Sequence, residues 1–194
     1  MKKALIIVVV IIVILSILLI YQNYSTRDTI KDAKSTLVVK SPAFKHGEMI
    51  PAKYTCESED ISPAIFWDHI PEGTKSFVLI ATDYDAPSEY FPILTIIHWI
   101  IYNIPSNTLS LPEGIAKDPE LKNGAKQGNN SLGKIGYIGP CPPMGTHDYH
   151  FKVYALDMTI DIDSQDATKS GILEAAKGHV LGIGELVGKY KKQE

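Results

Sequence analysis

From residue 37 onward, short apolar runs alternate with breaks rich in Gly, Pro and Asp, a pattern of strands and turns rather than of strand–helix repeats. Leu37-Val38-Val39 is the first run, broken by Ser41-Pro42-Ala43-Phe44 and a turn at His46-Gly47-Glu48. Met49 to Tyr54 predicts a second strand with Pro51 at its edge. Cys56 to Pro63 is polar loop, Ala64 to Trp67 a short strand, and Ile70 to Thr74 a turn. Ser76 to Thr82 reads as a buried strand, closed by Asp83-Tyr84-Asp85-Ala86-Pro87. Carboxylates two apart on extended backbone face the same way, which pairs Asp83 with Asp85. Pro87 holds Ala86 extended and admits a cis bond. Leu94 to Ile104 is the longest run, apolar on both faces, and is expected to be the central strand of a buried sheet. Pro105 to Gly136 reads as a long loop, a length usually functional or disordered.

The stretch from Tyr137 to Asp157 is organised differently. Gly139, Pro140, Pro142, Pro143 and Gly145 form a stiff turn, because proline locks φ and glycine permits left-handed backbone. Tyr149 to Leu156 is aromatic and β-branched and reads as a strand. If it begins at Thr146, His147 and Tyr149 share one face and Asp148 and His150 the other. Beyond it, Lys169 to Lys177 predicts a helix capped by Asp166 or Thr168 and ended by Gly178. His179 to Tyr190 predicts a second helix on Val180, Ile183, Leu186, Val187 and Tyr190, although Gly182, Gly184 and Gly188 weaken it. At least six strands with helices only at the end argue for an antiparallel β domain with C-terminal helices.

The N-terminus changes this picture. Residues 1–3 carry two lysines, and Ala4 to Ile20 is apolar except for Ser16; with Tyr21 the run would reach roughly 27 Å as a helix, enough to cross a bilayer core. No small-x-small cleavage site follows it. The expected organisation is a cytoplasmic 1–3, a transmembrane signal anchor at 4–21, a polar tether at 22–36 and a folded domain at 37–194 outside the cytoplasm.

Net charge is −3, and past residue 24 the chain holds 17 basic against 22 acidic residues, so there is no electrostatic footprint for nucleic acid. Two cysteines, Cys56 and Cys141, allow one disulfide at most and exclude a four-cysteine zinc site. No nucleophile-elbow serine, Walker lysine or His-Glu-x-x-His is present, and the glycines around Gly182 do not have dinucleotide-loop spacing. His147 and His150 lie three apart on a strand and point to opposite faces, which disfavours a shared metal. A histidine in the position of His98 is usually a hydrogen-bonded core residue.

What remains is Asp83, Asp85, His98, His147 and Tyr149. They sit in Asp83-Tyr84-Asp85-Ala86-Pro87-Ser88, in His98-Trp99 with Asn103, and in Gly139-Pro140-Cys141-Pro142-Pro143 followed by Gly145-Thr146-His147-Asp148-Tyr149-His150-Phe151. In these blocks, and in their order, the chain from about Lys40 to Tyr190 resembles the phosphatidylethanolamine-binding protein (Raf kinase inhibitor-like) family, most closely its bacterial and archaeal branch. The resemblance implies a mainly β fold, an antiparallel sandwich with C-terminal helices. It also implies a small cavity for an anion or phosphorylated headgroup. The ligand-binding residues it implies are Asp83, Asp85, Ala86, Pro87, His98, Gly139, Pro140, Cys141, His147 and Tyr149. Tyr84 stands where the family usually has proline, and Tyr90 to Leu94 is apolar where many relatives carry Gly and Trp.

Because carboxylates repel anions, one aspartate is expected to orient a histidine, with His98 or His147 and Tyr149 donating to the ligand. In such a sandwich Cys56 and Cys141 fall in loops able to approach the same end; a bridge between them and two free thiols both stay open. The implied function is a membrane-anchored, regulatory, non-catalytic binding module without a cofactor. An inhibitor of a protease or kinase, with a protein target of unknown identity, and a phosphoester or ester hydrolase using the Asp/His pocket are the alternatives.

Overall fold

A computed structural model describes residues 10–18 and 36–193. Residues 10–18 are helical and exposed, and among the described residues no helix is long and apolar enough to cross a membrane. The expected span at 4–21 and tether at 22–36 lie largely outside the described residues.

The domain is mainly β, with eight strands in two antiparallel sheets. These are β1 (Val38–Lys40), β2 (Ile65–Asp68), β3 (Ser76–Ala86), β4 (Leu94–Pro105), β5 (Ser110–Leu111), β6 (Lys126–Gln127), β7 (His147–Leu156) and β8 (Val180–Tyr190). A small sheet has the order β1-β2-β5 and a large one β6-β4-β3-β7-β8. Between the sheets lies the main core, including Trp67, Phe77, Leu79, Trp99, Ile101, Phe151 and Val153. The outer face of the large sheet carries a second core, in which Val78, Ile80, Ile100, Tyr102 and Tyr154 pack against helix α1 (Lys169–Ala175) through Ile172 and Leu173. β4 is therefore apolar on both faces because each face has its own core. The central strand is β3, not β4, since β4 is flanked by β3 and the two-residue β6.

Two local readings are corrected. Met49 to Tyr54 is not a strand: Met49 makes only an isolated bridge to Lys189, and Ala52–Tyr54 is a turn of 3-10 helix entered from Pro51. Residues 179–190 are not a helix but the long strand β8, paired along β7. The glycines explain this. A Cβ on Gly184 would lie 2.4 Å from the Leu37 carbonyl oxygen, and one on Gly188 2.6 Å from both Ile50 and Phe44. Those positions are bare so that the 36–50 segment can lie against the sheet, a close approach that outweighs the helical spacing of the apolar residues. One C-terminal helix thus remains of the two expected. It is capped as read, with the Thr168 hydroxyl accepting from the Gly171 N–H.

The 105–136 segment is ordered by a few side chains. Gln127 accepts from Trp99 Nε1 (2.8 Å) and donates to the carbonyls of Ala116 and Asp118 (2.7 Å each). Asn130 donates to the Gly136 carbonyl and accepts from the Leu132 N–H.

Gly184→Ala should destabilise the domain by about 1–3 kcal/mol, because the obstacle is backbone that cannot swing aside. Urea unfolding of the two proteins measures it.

Candidate functional site

Two irregularities in β3–β4 pairing build the site. Ala81 pairs with Trp99 and Thr82 with Ile97, so His98 has no partner across the ladder and forms a bulge. Strict alternation would put His98 and Trp99 on opposite faces. The bulge turns both toward the space between the sheets, while Ile97 and Ile100 face the helix side. The His98 ring meets that of Tyr149 edge-on, centroids 5.1 Å apart. The second irregularity lies between Asp83, which pairs with Ile96, and Ala86, which pairs with Leu94. Three steps on β3 match two on β4, so Asp83 and Ala86 face the same way and Asp85 is swung aside. Asp85 Oδ2 accepts from the Asp148 N–H (2.8 Å) and serves the backbone.

The result is a hollow of about 480 Å³. Of the residues expected there, Asp83, Ala86, Pro87, His98, Gly139, Cys141, His147 and Tyr149 line it. Asp85 and Pro140 do not; the Pro140 carbonyl accepts from the Cys56 N–H instead. The lining further includes Cys56, Asp60, Leu94, Ile96, Leu132, Ile138, Pro142 and Pro143, so most of the wall is apolar. Ala86–Pro87 is a cis peptide.

Each polar group has a defined role. His147 is fully buried, its Nδ1 2.8 Å from Asp83 Oδ2 and its Nε2 3.1 Å from the Met144 carbonyl. A carbonyl only accepts, so Nε2 carries a proton, and both ring nitrogens are engaged within the protein. An aspartate does orient a histidine, but His147 has no nitrogen left to offer a guest. His98 Nδ1 lies 2.8 Å from the Ile138 carbonyl and must donate to it. Burial pushes the His98 pKa down, which keeps the ring neutral, and its buried Nε2 is left as a lone pair with no partner in the protein. His98 is therefore an acceptor rather than the expected donor. The Tyr149 hydroxyl is likewise buried without a partner. Burial, and then the Asp83 carboxylate, raise its pKa, so it stays a protonated donor. The hollow thus holds one unpartnered acceptor and one unpartnered donor on adjoining rings.

The remaining polar residues are structural. His150, on the opposite face of β7 as expected, bonds Glu185 (2.8 Å) and stacks edge-on with Tyr84. Tyr84 points to that outer face, where its hydroxyl is 2.8 Å from Lys169 Nζ, and so leaves Asp83 undisturbed. Among the described residues, no group of three or more His, Cys, Asp or Glu could hold a metal ion.

Two loops close the wall. Cys56 and Cys141 form a disulfide across a sequence separation of 85. Tyr137 donates to the Tyr54 carbonyl (2.8 Å), and Gly139 N–H donates to Asp60 Oδ1 (2.6 Å). A Cβ at Gly139 would fall 2.7 Å from the Tyr54 carbonyl oxygen, so only glycine allows this approach. Asp60 gave no sequence signal: it sits in a polar loop at φ 53°, with neither periodicity nor motif around it.

Comparison with known proteins decides the family. The sequence model of the phosphatidylethanolamine-binding proteins matches residues 40–191. The chain belongs to the phosphatidylethanolamine-binding protein family. Its relatives include a UPF0098 protein of Methanothermobacter thermautotrophicus, 44% identical over 79% of this chain and 98% of the relative, and one of Aquifex aeolicus, 46% identical over 79% and 88%. Among solved structures, a family homologue from Chlamydia trachomatis is 38% identical, with a TM-score of 0.73 over 82% of this chain and 100% of the other. YbcL of E. coli is 31% identical, with the same TM-score and coverage. A weaker likeness is to a carboxypeptidase Y inhibitor solved with its cognate proteinase, 19% identical with a TM-score of 0.50 over 91% of this chain and 95% of the other, which shares the fold alone. As a family member, the chain places its Gly-Pro-Cys-Pro-Pro block and its His-Asp-Tyr-His strand around one hollow.

Replacing both cysteines with serine should lower stability by about 3–5 kcal/mol, as the bridge closes a long loop; denaturant melts of the double variant check this. His98 adds a pH dependence. Its folded pKa lies below the unfolded value, so the unfolded chain binds more protons as pH falls below about 6.5, and stability drops in that window. His98→Gln should flatten this part of the acid limb in melts taken between about pH 7 and pH 5.

Proposed function

We propose that the hollow is a binding site for a phosphate monoester such as a phosphorylated headgroup, in a regulatory, non-catalytic module anchored to a membrane by residues 4–21. The observation that carries the reading is the pair of buried, unpartnered atoms, His98 Nε2 and the Tyr149 hydroxyl, in the hollow. A singly protonated phosphate answers both: its P–OH donates to His98 Nε2 and a phosphoryl oxygen accepts from Tyr149. The apolar wall then covers the rest of the guest. Against an enzyme stand the full engagement of His147 and Asp83 with each other and the lack of an activated nucleophile beside them. The anchor rests on the apolar sequence run alone.

The sign of the pH effect follows from the protons. A phosphate monoester loses its second proton near pH ~6, and with it the group that donates to His98. Affinity for phosphoethanolamine by calorimetry should be higher at about pH 5.5 than at about pH 8, and Tyr149→Phe should weaken it about tenfold, the worth of one hydrogen bond. Equal affinity at both pH values, or an unaffected Tyr149→Phe, removes the reading. Steady turnover of phosphoesters would replace it with the hydrolase alternative.

A further inference from the structure

A second hollow, of about 450 Å³, lies beside β1 and shares no lining residue with the first. β1 is an edge strand, since the small sheet runs β1-β2-β5. The direction of its backbone follows from its neighbour. Trp67 N–H donates to the Leu109 carbonyl, on the β5 side of β2. Trp67 therefore turns its N–H and C=O away from its partner Val39, and antiparallel pairing makes Val39 turn its own away from β2, toward the open edge. Among the described residues neither group of Val39 has a partner. A short edge strand bearing a lysine is a common guard against stray pairing, and Lys40 fits that role. The hollow beside it does not. Phe44 and Leu186, 5% and 1% exposed, lie at its base, and Phe66 adds an exposed aromatic wall. Lys40, Lys45 and His46 line it as well. Both lysines are exposed and have no ion-pair partner among the described residues. His46 Nδ1 accepts from the Val187 N–H (3.3 Å), which leaves the ring proton on Nε2 as a further donor. The acids that flank these elements, Glu48 and Asp68, accept from the Lys45 and His69 N–H groups and do not line the hollow.

We infer that this hollow is a docking site for an extended acidic peptide segment of another protein, added as a strand to the open edge of β1. Three features select that guest. The bare N–H and C=O of Val39 are what a strand backbone pairs with. Val39 faces the core side of the small sheet with Phe44 and Leu186, so the guest's inward side chains meet an apolar base. Lys40 pairs with Phe66 and shares its outer face, so the guest's outward side chains meet a lysine. Alternating apolar and acidic residues answer both faces at once. Lys45 and His46 add donors from the turn that follows Phe44, where carboxylates are again the matching charge. A small amphipathic acid would fill the base and meet the lysines but leave the Val39 N–H unpaired. The strand is three residues long, so the site holds a guest stretch of about that length. This site is separate from the headgroup reading of the first hollow and does not depend on it.

The test is calorimetry on the full chain in nonionic detergent, with a capped peptide of alternating valine and glutamate as the probe. The peptide should bind, and the same peptide with lysine for glutamate should not. Methylating the backbone nitrogens of the valine–glutamate peptide keeps its side chains but removes its N–H groups, and should weaken binding about tenfold, the worth of one hydrogen bond. Lys40→Glu with Lys45→Glu, both at exposed positions, should also weaken binding about tenfold or more while thermal melts stay unchanged. In the complex the Val39 N–H should exchange with solvent more slowly than in the free protein. No binding of the valine–glutamate peptide, or equal binding of the lysine peptide, overturns the inference. Undiminished binding of the methylated peptide overturns it in favour of a site for small amphipathic acids. Displacement of the peptide by phosphoethanolamine overturns it by placing the peptide in the first hollow; independent binding of the two supports it.

Discussion

A buried polar atom without a partner costs about 1–3 kcal/mol, and this domain holds an imidazole nitrogen and a phenol hydroxyl in that condition side by side. Neither can turn away to relieve it. The Ile138 carbonyl fixes the His98 ring through Nδ1, and the Tyr149 ring is packed into the main core, its backbone paired with Asp83 on one side and Gly188 on the other. The rest of the site can be understood as what keeps these two atoms unsatisfied by the protein yet reachable through a hollow. Thr36 Oγ1 and Trp67 Nε1 are buried without a partner as well, but the His98–Tyr149 pair differs from them in lying on the hollow.

The surroundings are rigid because each wall is tied to a different element. Asp83 is paired on both sides, with Ile96 of β4 and Tyr149 of β7, and its carboxylate closes on His147 two residues along. The opposite wall, 137–141, has little regular structure and is held by side chains: a disulfide to Cys56, a tyrosine hydroxyl to the Tyr54 carbonyl and Asp60 to the Gly139 N–H. A loop fastened at three points in five residues behaves as part of the scaffold, which is the condition for a pre-formed cavity.

What could be read from the sequence divides along the same line. β3, β4 and β7 announced themselves by composition, and the alternation in β7 correctly put His147 with Tyr149 and His150 on the far side. Alternation failed at the two bulges. Nothing in Asp83-Tyr84-Asp85 says that the ladder slips there, so alternation faces Asp85 the same way as Asp83, and the resemblance implies both for the site, while the Asp85 carboxylate serves the Asp148 N–H. Nothing around His98 says that it shares a face with Trp99. β8 reads as a helix because its apolar residues happen to fit helical spacing, while its glycines report on contact with the 36–50 segment, a tertiary fact. Asp60 was invisible because its role depends on a partner 79 residues away. The family resemblance, by contrast, was legible from short motifs in order, and it carried the fold even where local readings erred.

Two carboxylates at the proposed anion site look contradictory until their partners are counted. Asp83 shares a proton with His147, whose other nitrogen must also carry one to satisfy the Met144 carbonyl. The other oxygen of Asp83 accepts from the Asp85 N–H, so both of its oxygens are engaged within the protein. Asp60 spends one oxygen on the Gly139 N–H and has Lys117 3.3 Å from the other. Neither carboxylate faces the hollow as a bare charge. With neutral His98 and un-ionised Tyr149, and with both lining carboxylates engaged by partners, the largely apolar cavity favours the less charged form of a guest. On the proposed reading, that preference and the lone pair on His98 ask for the same species, a phosphate that has kept one proton. The walls and the hydrogen-bonding atoms thus select in the same direction, although they come from loops and strands far apart in the chain.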